Sequence, residues 1–429
     1  MNQTKQVLLF GMGALLFSCQ QNQEKLRQLS VENLSNIDLT EKSIKVSLEE
    51  LGEEGLSNQF PRLSDERGQI VPSQLIDNDG DGNLDELFFL IDLKSGEKKQ
   101  LGLDWAESPA EIDQRTYVRF GVRPSVNDTV RPAKTDTFYP DMLPGVMGYQ
   151  PYQTDGPSWE NDKVGFRHYL DGRNSKDVFG KKIKEMSPVN VGINEEGVTE
   201  DNYHVMEDWG RDILSVEKSL GLGGYSLKVG EDLLRLGVTQ QDSLNNVSET
   251  TFSVKESGPL FSLMHYDYKD WKPEGTDRNY QVHEETEIWP GMYAFKNTFT
   301  MTGLQGDEEA IIGLVNNQTD KELGILEVGD FVVLFTHDKQ TYDKVWYMGL
   351  GLILPKNVYL GWMEAPSTGQ ITDTFLARMK VENNKPISYY AVASWELSDS
   401  GFTEQGYFKE YILGLAKQLD AKVKVEVQK

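Results

Sequence analysis

Cysteine is almost missing from this chain. Cys19 is the only one in 429 residues, so no disulfide can form within a chain and no thiol in its body can serve as a nucleophile. Histidine is also scarce, with His168, His204, His265, His283 and His337 the full set. Positive charge is in deficit, with 43 Lys and Arg against 68 Asp and Glu and a formal net charge of −25. That balance favours solubility and excludes nonspecific nucleic-acid binding, which needs a cationic surface. An anionic substrate would therefore require a local basic reversal. Motifs of other reaction classes are absent: there is no G-x-S-x-G, no P-loop, no G-x-G-x-x-G and no H-E-x-x-H. With 68 acids, no glycosidase-type carboxylate pair can be singled out by sequence.

Long apolar runs are missing too. The stretch from Val7 to Phe17 is too short to cross a bilayer but suits the core of a signal peptide. It ends in Leu16-Phe17-Ser18-Cys19, which resembles the lipobox of bacterial lipoproteins. The expected division is a signal peptide over 1–18 and a polar tether over 19–35, with Cys19 as the lipidation site. The chain is then expected in the bacterial cell envelope, periplasmic or cell-surface, touching the membrane by its lipid anchor only.

What is present reads as β-structure. "KSIKVSL", "ELFFLIDL" and "RTYVRFGV" alternate or cluster apolar residues at strand length. Similar short runs, such as "GYSLKV", "LFSLMHYDY" and "FVVLFTH", recur after residue 160 between turn signals. These patterns predict an all-β chain built as a large antiparallel β-sandwich with a few helices. An N-terminal β region is expected over 36–125 and the main sandwich over 126–429. Residues 126–160, rich in Pro, Thr and Asp, read as a long surface segment. "GYFKEYILGLAKQLDAKVKV" predicts a C-terminal helix.

Three stretches concentrate chemistry. From Lys163 to Lys184 there are seven Lys or Arg and two Asp, a local basic reversal. Arg167, Arg173 and Lys176 are candidates for anion recognition there, with His168 near the chemistry. Arg167 and His168 are neighbours on an expected strand and so face opposite sides. The alternative is a solvated basic edge. In "NYHVMEDWGRDILSV", His204, Asp208 and Asp212 have i, i+4 spacing, which on a helix would share one face. That reading gives a carboxylate-oriented His204 with Trp209 and Arg211 lining a sugar site; ordinary surface charge is the alternative. In "HYDYKDWKPEGTDRNYQVHEETEIW", aromatic and charged residues interleave as in sugar clefts. His265, Tyr268, Trp271, Arg278 and His283 are the candidates. Strand alternation also places His283, Glu285 and Glu287 on one face, where a metal is geometrically allowed.

"SVENLSNIDLTEKSIKVSLEEL", "DNDGDGNLDELFFLIDL", "SWENDKVGFRHYLDGRNSKDVFGK" and "YHVMEDWGRDILSVEKSLGLGGYSL", in this order, resemble one uncharacterised-domain family of bacterial polysaccharide-utilisation loci. The resemblance implies a galactose-mutarotase-like β-supersandwich. The activity it implies is that of an ulvan oligosaccharide dehydratase, which removes water across C4–C5 of a non-reducing-end uronic acid to leave a 4,5-unsaturated sugar. The expected partner is an anionic oligosaccharide, sulfated and uronate-containing. Such an elimination needs the uronate charge neutralised, a base for the C5 proton and an acid for the leaving hydroxyl. Arg167 or Arg211 suits the first task, His168 and His204 the other two, with His265 and Tyr268 in reserve. No cofactor is required for that chemistry. A polysaccharide lyase and a non-catalytic surface glycan-binding lipoprotein are the alternatives.

One motif stands apart. "DNDGDGNLDE" spaces Asp77, Asp79, Asp81 and Asp85 like the start of a calcium loop, but the twelfth position is Phe88 instead of a bidentate Glu. Flanking strand patterns replace the helices of an EF-hand. A structural calcium ion is one reading, and a Gly-rich turn with solvated Asp is the other.

Overall fold

The period-2 alternation of the chain does build strands, and every named strand pair among the described residues is antiparallel. The computed structural model describes residues 27–52 and 59–428. Cys19 and the apolar run before it lie outside the described residues. Among the described residues, no helix is long and apolar enough to cross a membrane.

The largest sheet has nine strands, in the order Thr135–Phe138, Val247–Ser257, Ser262–Trp271, Tyr280–Ile288, Ala294–Thr302, Ile387–Trp395, Met348–Pro355, Phe331–Asp338 and Gly324–Val328. Two five-stranded sheets cover its inner face. One runs Gly210–Asp212, Lys176–Lys181, Val164–His168, Ser158–Asn161, Thr116–Arg119. The other runs Asp232–Leu234, Leu222–Val229, Glu308–Val315, Thr374–Lys380, Tyr359–Glu364. A continuous apolar core joins the layers. Phe166 meets Phe295 at 4.7 Å between ring centroids, and Tyr225 stacks on Phe299 at 4.4 Å. This is the large antiparallel sandwich expected from the sequence.

Two smaller sheets form the N-terminal region around a separate core of Leu29, Val31, Leu63, Phe89, Leu101 and Leu103. Its outermost strand comes from the far end of the chain: Val423–Gln428 pairs with Arg27–Asn33. Thr116–Arg119, by contrast, belongs to the main layers through Ser158–Asn161. Both pairings are long-range, which local composition does not reveal. The 126–160 segment is likewise more regular than its composition implies, because Thr135–Phe138 finds a distant partner in Thr250–Ser253.

The C-terminal helix, Gln405–Asp420, buries Phe408, Ile412, Leu415 and Ala416. It lies against the outer face of the nine-stranded sheet. Gly349 permits the contact, since a Cβ there would sit 2.5 Å from the Phe408 ring. The helix is shorter than the stretch quoted for it, because the alternating "VKVEVQ" that follows pairs as a strand.

Candidate functional site

The strand Val164–His168 settles how the basic segment is divided. Alternation sends Arg167 and His168 to opposite faces, as expected. His168 points into the sandwich. Lys176 Nζ lies 3.2 Å from its Nδ1, and Asn174 Oδ1 lies 3.3 Å from its Nε2. Lys176 also donates to Glu284 at 2.5 Å, and Tyr225 donates to the same carboxylate at 2.7 Å. His168, Lys176 and Glu284 are all fully buried. Burial, then the Lys176 charge, pushes the His168 imidazole down to about 3, so it is neutral. Tyr268 is buried in the same interior network, 3.4 Å from His168 Nε2.

Arg167 points the other way, into a second network. Its Nη2 donates to Asp177 Oδ2, to Asp212 Oδ2 at 2.7 Å and to Tyr169 Oη at 2.6 Å. Its Nη1 reaches Asp155 Oδ2 at 3.4 Å. The guanidinium stacks between Tyr169 at 4.3 Å and Tyr203 at 4.8 Å. Only 1% of Arg167 is exposed, so its charge is already matched by carboxylates inside the protein. Asp177 and Tyr169 were not identified from the sequence. Tyr169 lies two residues beyond Arg167, a spacing the sequence shows, whereas Asp177 shares Arg167's face because the strand register sets the two opposite each other.

His204 sits at the rim of this network. Its Nδ1 lies 3.5 Å from Asp212 Oδ2, while the side chain as a whole is 40% exposed. The Nδ1 atom itself is buried without a hydrogen-bond partner, so the exposed part of the ring lies away from Nδ1. Tyr342 stacks on the outer side, 5.7 Å between centroids. Burial and then the charge of Arg167 hold the imidazole below its ordinary value. Burial and Asp177 push Asp212 well above the carboxylate range, against the pull of Arg167. Arg211 donates through Nε to the Asp212 carbonyl at 2.9 Å and through Nη1 to Asp343 at 3.1 Å, over the Trp346 ring.

The helical reading of His204, Asp208 and Asp212 is corrected. Asn202–His204 is a single 3-10 turn, and Gly210–Asp212 is a strand. Gly210 enforces the change: it pairs with Lys181 at φ 140°, and a Cβ there would lie 1.8 Å from the Gly180 carbonyl oxygen. A chain reversal, not a helix face, brings His204 to Asp212.

The other candidates do not converge here. His168 and His204, expected to act as a pair, lie on opposite faces of one sheet. Trp209 is buried in a small separate core with Phe179, Val191 and Tyr203. Trp271 is fully buried and donates to the Arg235 carbonyl at 3.1 Å. Neither indole face is open for a sugar. Arg173 is bound by Asp171 at 2.5 Å and stacks on Tyr169 at 3.6 Å. Arg278 is held by Asp307 at 2.8 Å and by Glu308. Lys176 is enclosed with Glu284. His265 and His283 occupy the outer face of the nine-stranded sheet, and Glu287 beside them is bound to Lys45 and Lys296. His337 Nε2 donates to the Phe402 carbonyl at 2.8 Å within the core.

The Asp-rich loop joins the hairpin strands Ser73–Ile76 and Glu86–Leu93. Asp77 accepts from the backbone N–H of Gly80 at 2.6 Å and of Gly82 at 2.8 Å, and Asp85 accepts from Asn78 at 2.7 Å. Asp77, Asp79 and Asp85 converge closely enough to share an ion, whereas Asp81 turns to Asn83.

A family model described as "Domain of unknown function (DUF4861)" matches residues 31–425. "Uncharacterized protein P7" from Formosa agariphila is 23% identical over 445 residues, covering 98% of this chain and 99% of that protein. Two solved structures align over 95% of the chain at 10% identity: a protein in glycosyl hydrolase family 38 from Enterococcus faecalis, at a TM-score of 0.47, and an alpha-mannosidase from Enterococcus faecalis V583, at 0.44. The chain spans about half the length of each, 48% and 46%.

Proposed function

The chain belongs to the DUF4861 family, and from that premise we propose that it is a hydro-lyase acting on uronate-bearing oligosaccharides. The observation that carries the proposal is the His204–Asp212 contact at the edge of the buried Arg167 network. In this reading the 3.5 Å gap between His204 Nδ1 and Asp212 closes when the uronate binds, Asp212 ionises and takes the Nδ1 hydrogen, and the lone pair of Nε2 is left outward. Nε2 removes the C5 proton of a uronic acid. Arg211, on the same strand and paired at 3.1 Å with the part-exposed Asp343, exchanges that partner for the substrate carboxylate and neutralises it as negative charge develops. The Tyr342 phenol, half-exposed beside His204, protonates the departing 4-hydroxyl. Arg167 does not touch the substrate. It holds Asp212 in place and favours its ionised form, against the upward push of burial and Asp177. A positioned base of this kind contributes roughly 10²–10⁴ in rate.

The substrate class rests on the sequence resemblance to ulvan oligosaccharide dehydratases. The test is incubation with ulvan-derived oligosaccharides that end in an intact uronic acid. The expected product has lost one water and gained the absorbance of a conjugated enol ether, and His204→Ala forms none while still binding the oligosaccharide. Chain shortening without loss of water would replace the dehydratase reading with a lyase or hydrolase. The exposed setting of His204 favours a lyase as the second reading, because an internal uronate can reach an open rim as readily as a chain end. No turnover of any uronate oligosaccharide would leave a glycan-binding protein.

A further inference from the structure

A second group of ligand atoms lies across the sandwich from His204, on the outer face of the nine-stranded sheet. Ser262–Trp271 and Tyr280–Ile288 pair in a register that sets His265 opposite Glu285 and Asp267 opposite His283. All four side chains share the outer face. The imidazoles of His265 and His283 stand nearly perpendicular, 5.1 Å between centroids. Glu285 Oε1 lies 3.5 Å from His283 Nε2 and 3.9 Å from His265 Nε2. One donor atom from each of the three residues falls within 4.8 Å of the others.

Two features distinguish this group from ordinary surface charge. The first is His265: the residue is only 8% exposed, and its Nε2 is buried with no hydrogen-bond partner. Leaving such an atom unmatched is costly unless something binds it. The second is His283, whose Nδ1 meets Asp267 Oδ1 at 2.8 Å. A carboxylate on one ring nitrogen fixes the tautomer that presents the other to a metal. The spacing also fits. Two ligands about 2.0–2.1 Å from a tetrahedral zinc ion stand about 3.4 Å apart, so the two histidine–Glu285 separations of 3.5 and 3.9 Å need only a small closure.

We propose that His265 Nε2, His283 Nε2 and Glu285 bind one divalent transition-metal ion, zinc by donor type, with Asp267 as the outer partner of His283. Two imidazoles and one carboxylate suit zinc or its first-row neighbours, not calcium or magnesium. Three protein ligands leave the fourth position open, and the half-exposed His283 and Glu285 place it toward solvent. The site is separate from the oxygen-only Asp77–Asp79–Asp85 loop, which Lys255 adjoins through the Asp79 carbonyl at 2.7 Å.

The experiment uses the full chain, stripped with a chelator and titrated with Co²⁺ and then Zn²⁺. One equivalent of Co²⁺ should give the visible absorption of a low-coordinate nitrogen-ligated ion, and Zn²⁺ should displace it. His265→Gln and His283→Gln should each weaken binding at least 100-fold, and Asp267→Asn by about 10–100-fold. His204→Ala and Asp79→Asn should bind as the parent does. Thermal melts of the stripped proteins check that each variant is folded, and Asp267→Asn keeps the test open if a histidine variant is not. No Co²⁺ or Zn²⁺ uptake by the parent would overturn the assignment, leaving His283 as an imidazolium held between Asp267 and Glu285. So would binding that survives both histidine substitutions, or that is lost in Asp79→Asn instead. Because His204 plays no part, failure of the hydro-lyase reading leaves this result standing, and the reverse holds.

Discussion

Asp212 Oδ2 is shared: Arg167 Nη2 donates to it at 2.7 Å, and His204 Nδ1 lies 3.5 Å away. Three carboxylates, those of Asp155, Asp177 and Asp212, surround the one guanidinium of Arg167. The excess is negative, so the two ways of breaking the contact are not equivalent. Arg167→Met removes the cation that bridges Asp177 and Asp212, leaving Asp155 only Arg173 at 3.8 Å, and should cost about 3–5 kcal/mol of stability. Asp212→Asn removes repulsion with Asp177 along with the attraction to Arg167, and should cost well under half of that. It should nonetheless lower turnover by 10² or more, because the neutral amide no longer orients His204 as a base. Urea unfolding and steady-state rates on the two variants separate the effects; equal destabilisation would contradict the charge count.

The pH profile carries a second prediction. His204 is held below its ordinary value of 6.5 by burial, by Arg167 and, to a smaller extent, by Arg211. Its neutral form is therefore present at pH 7 and is lost only as pH falls through the lowered value. kcat/KM should be level above about pH 6.5 and decline below it. Arg211→Gln removes one of the charges that depress the imidazole and should move this limb to higher pH, besides raising KM for a uronate substrate. A limb that stays in place, or moves to lower pH, would separate Arg211 from the base.

His168 should make itself felt in stability, not in turnover. Burial and Lys176 bring it down to about 3, against 6.5 in an unfolded chain. The unfolded state then binds the extra proton as soon as pH drops below 6.5. Stability contributed by keeping this residue neutral is full above that value and lost as pH falls toward the folded one. The slope is about 1.4 kcal/mol per pH unit for a single site. Between pH 7 and pH 5 the parent should lose about 2 kcal/mol more than His168→Gln. Denaturant melts at both pH values measure the difference, and parallel losses would mean that His168 is already protonated in the fold.

How much of this was legible depended on whether the information was local. The sandwich was readable because alternation such as that of "ELFFLIDL" is a property of neighbouring residues. The opposite orientation of Arg167 and His168 followed from the same rule. The i, i+4 spacing pairs His204 with Asp208 on a helix, whereas Gly210 packs against Gly180, the segment is a strand, and the carboxylate that meets His204 is Asp212. The roles of Lys176 and Arg278 were not readable, because their carboxylate partners come from strands and turns whose pairing is tertiary, whereas Asp171, the partner of Arg173, is only two residues away. Glu284, the partner of Lys176, is 108 residues away. His265 and His283 were singled out separately, and only the register of two strands makes them neighbours.

Trp271 tests the distinction between a sugar platform and a core. The sequence places it in an aromatic and charged stretch, which suggested stacking on a pyranose. In the fold it is fully buried, packed on Tyr280 at 5.0 Å between centroids, with its indole N–H donated to the Arg235 carbonyl at 3.1 Å. Trp271→Ala removes a large buried ring and leaves that carbonyl with one donor fewer, so a loss of about 3–5 kcal/mol is expected. Trp271→Phe refills most of the volume and should recover a substantial part of it. Neither variant, when folded, should change the affinity for an oligosaccharide. A sugar-stacking indole would behave in the opposite way, with small changes in urea midpoint and a marked loss of binding, and calorimetric titration of Trp271→Phe decides between the two.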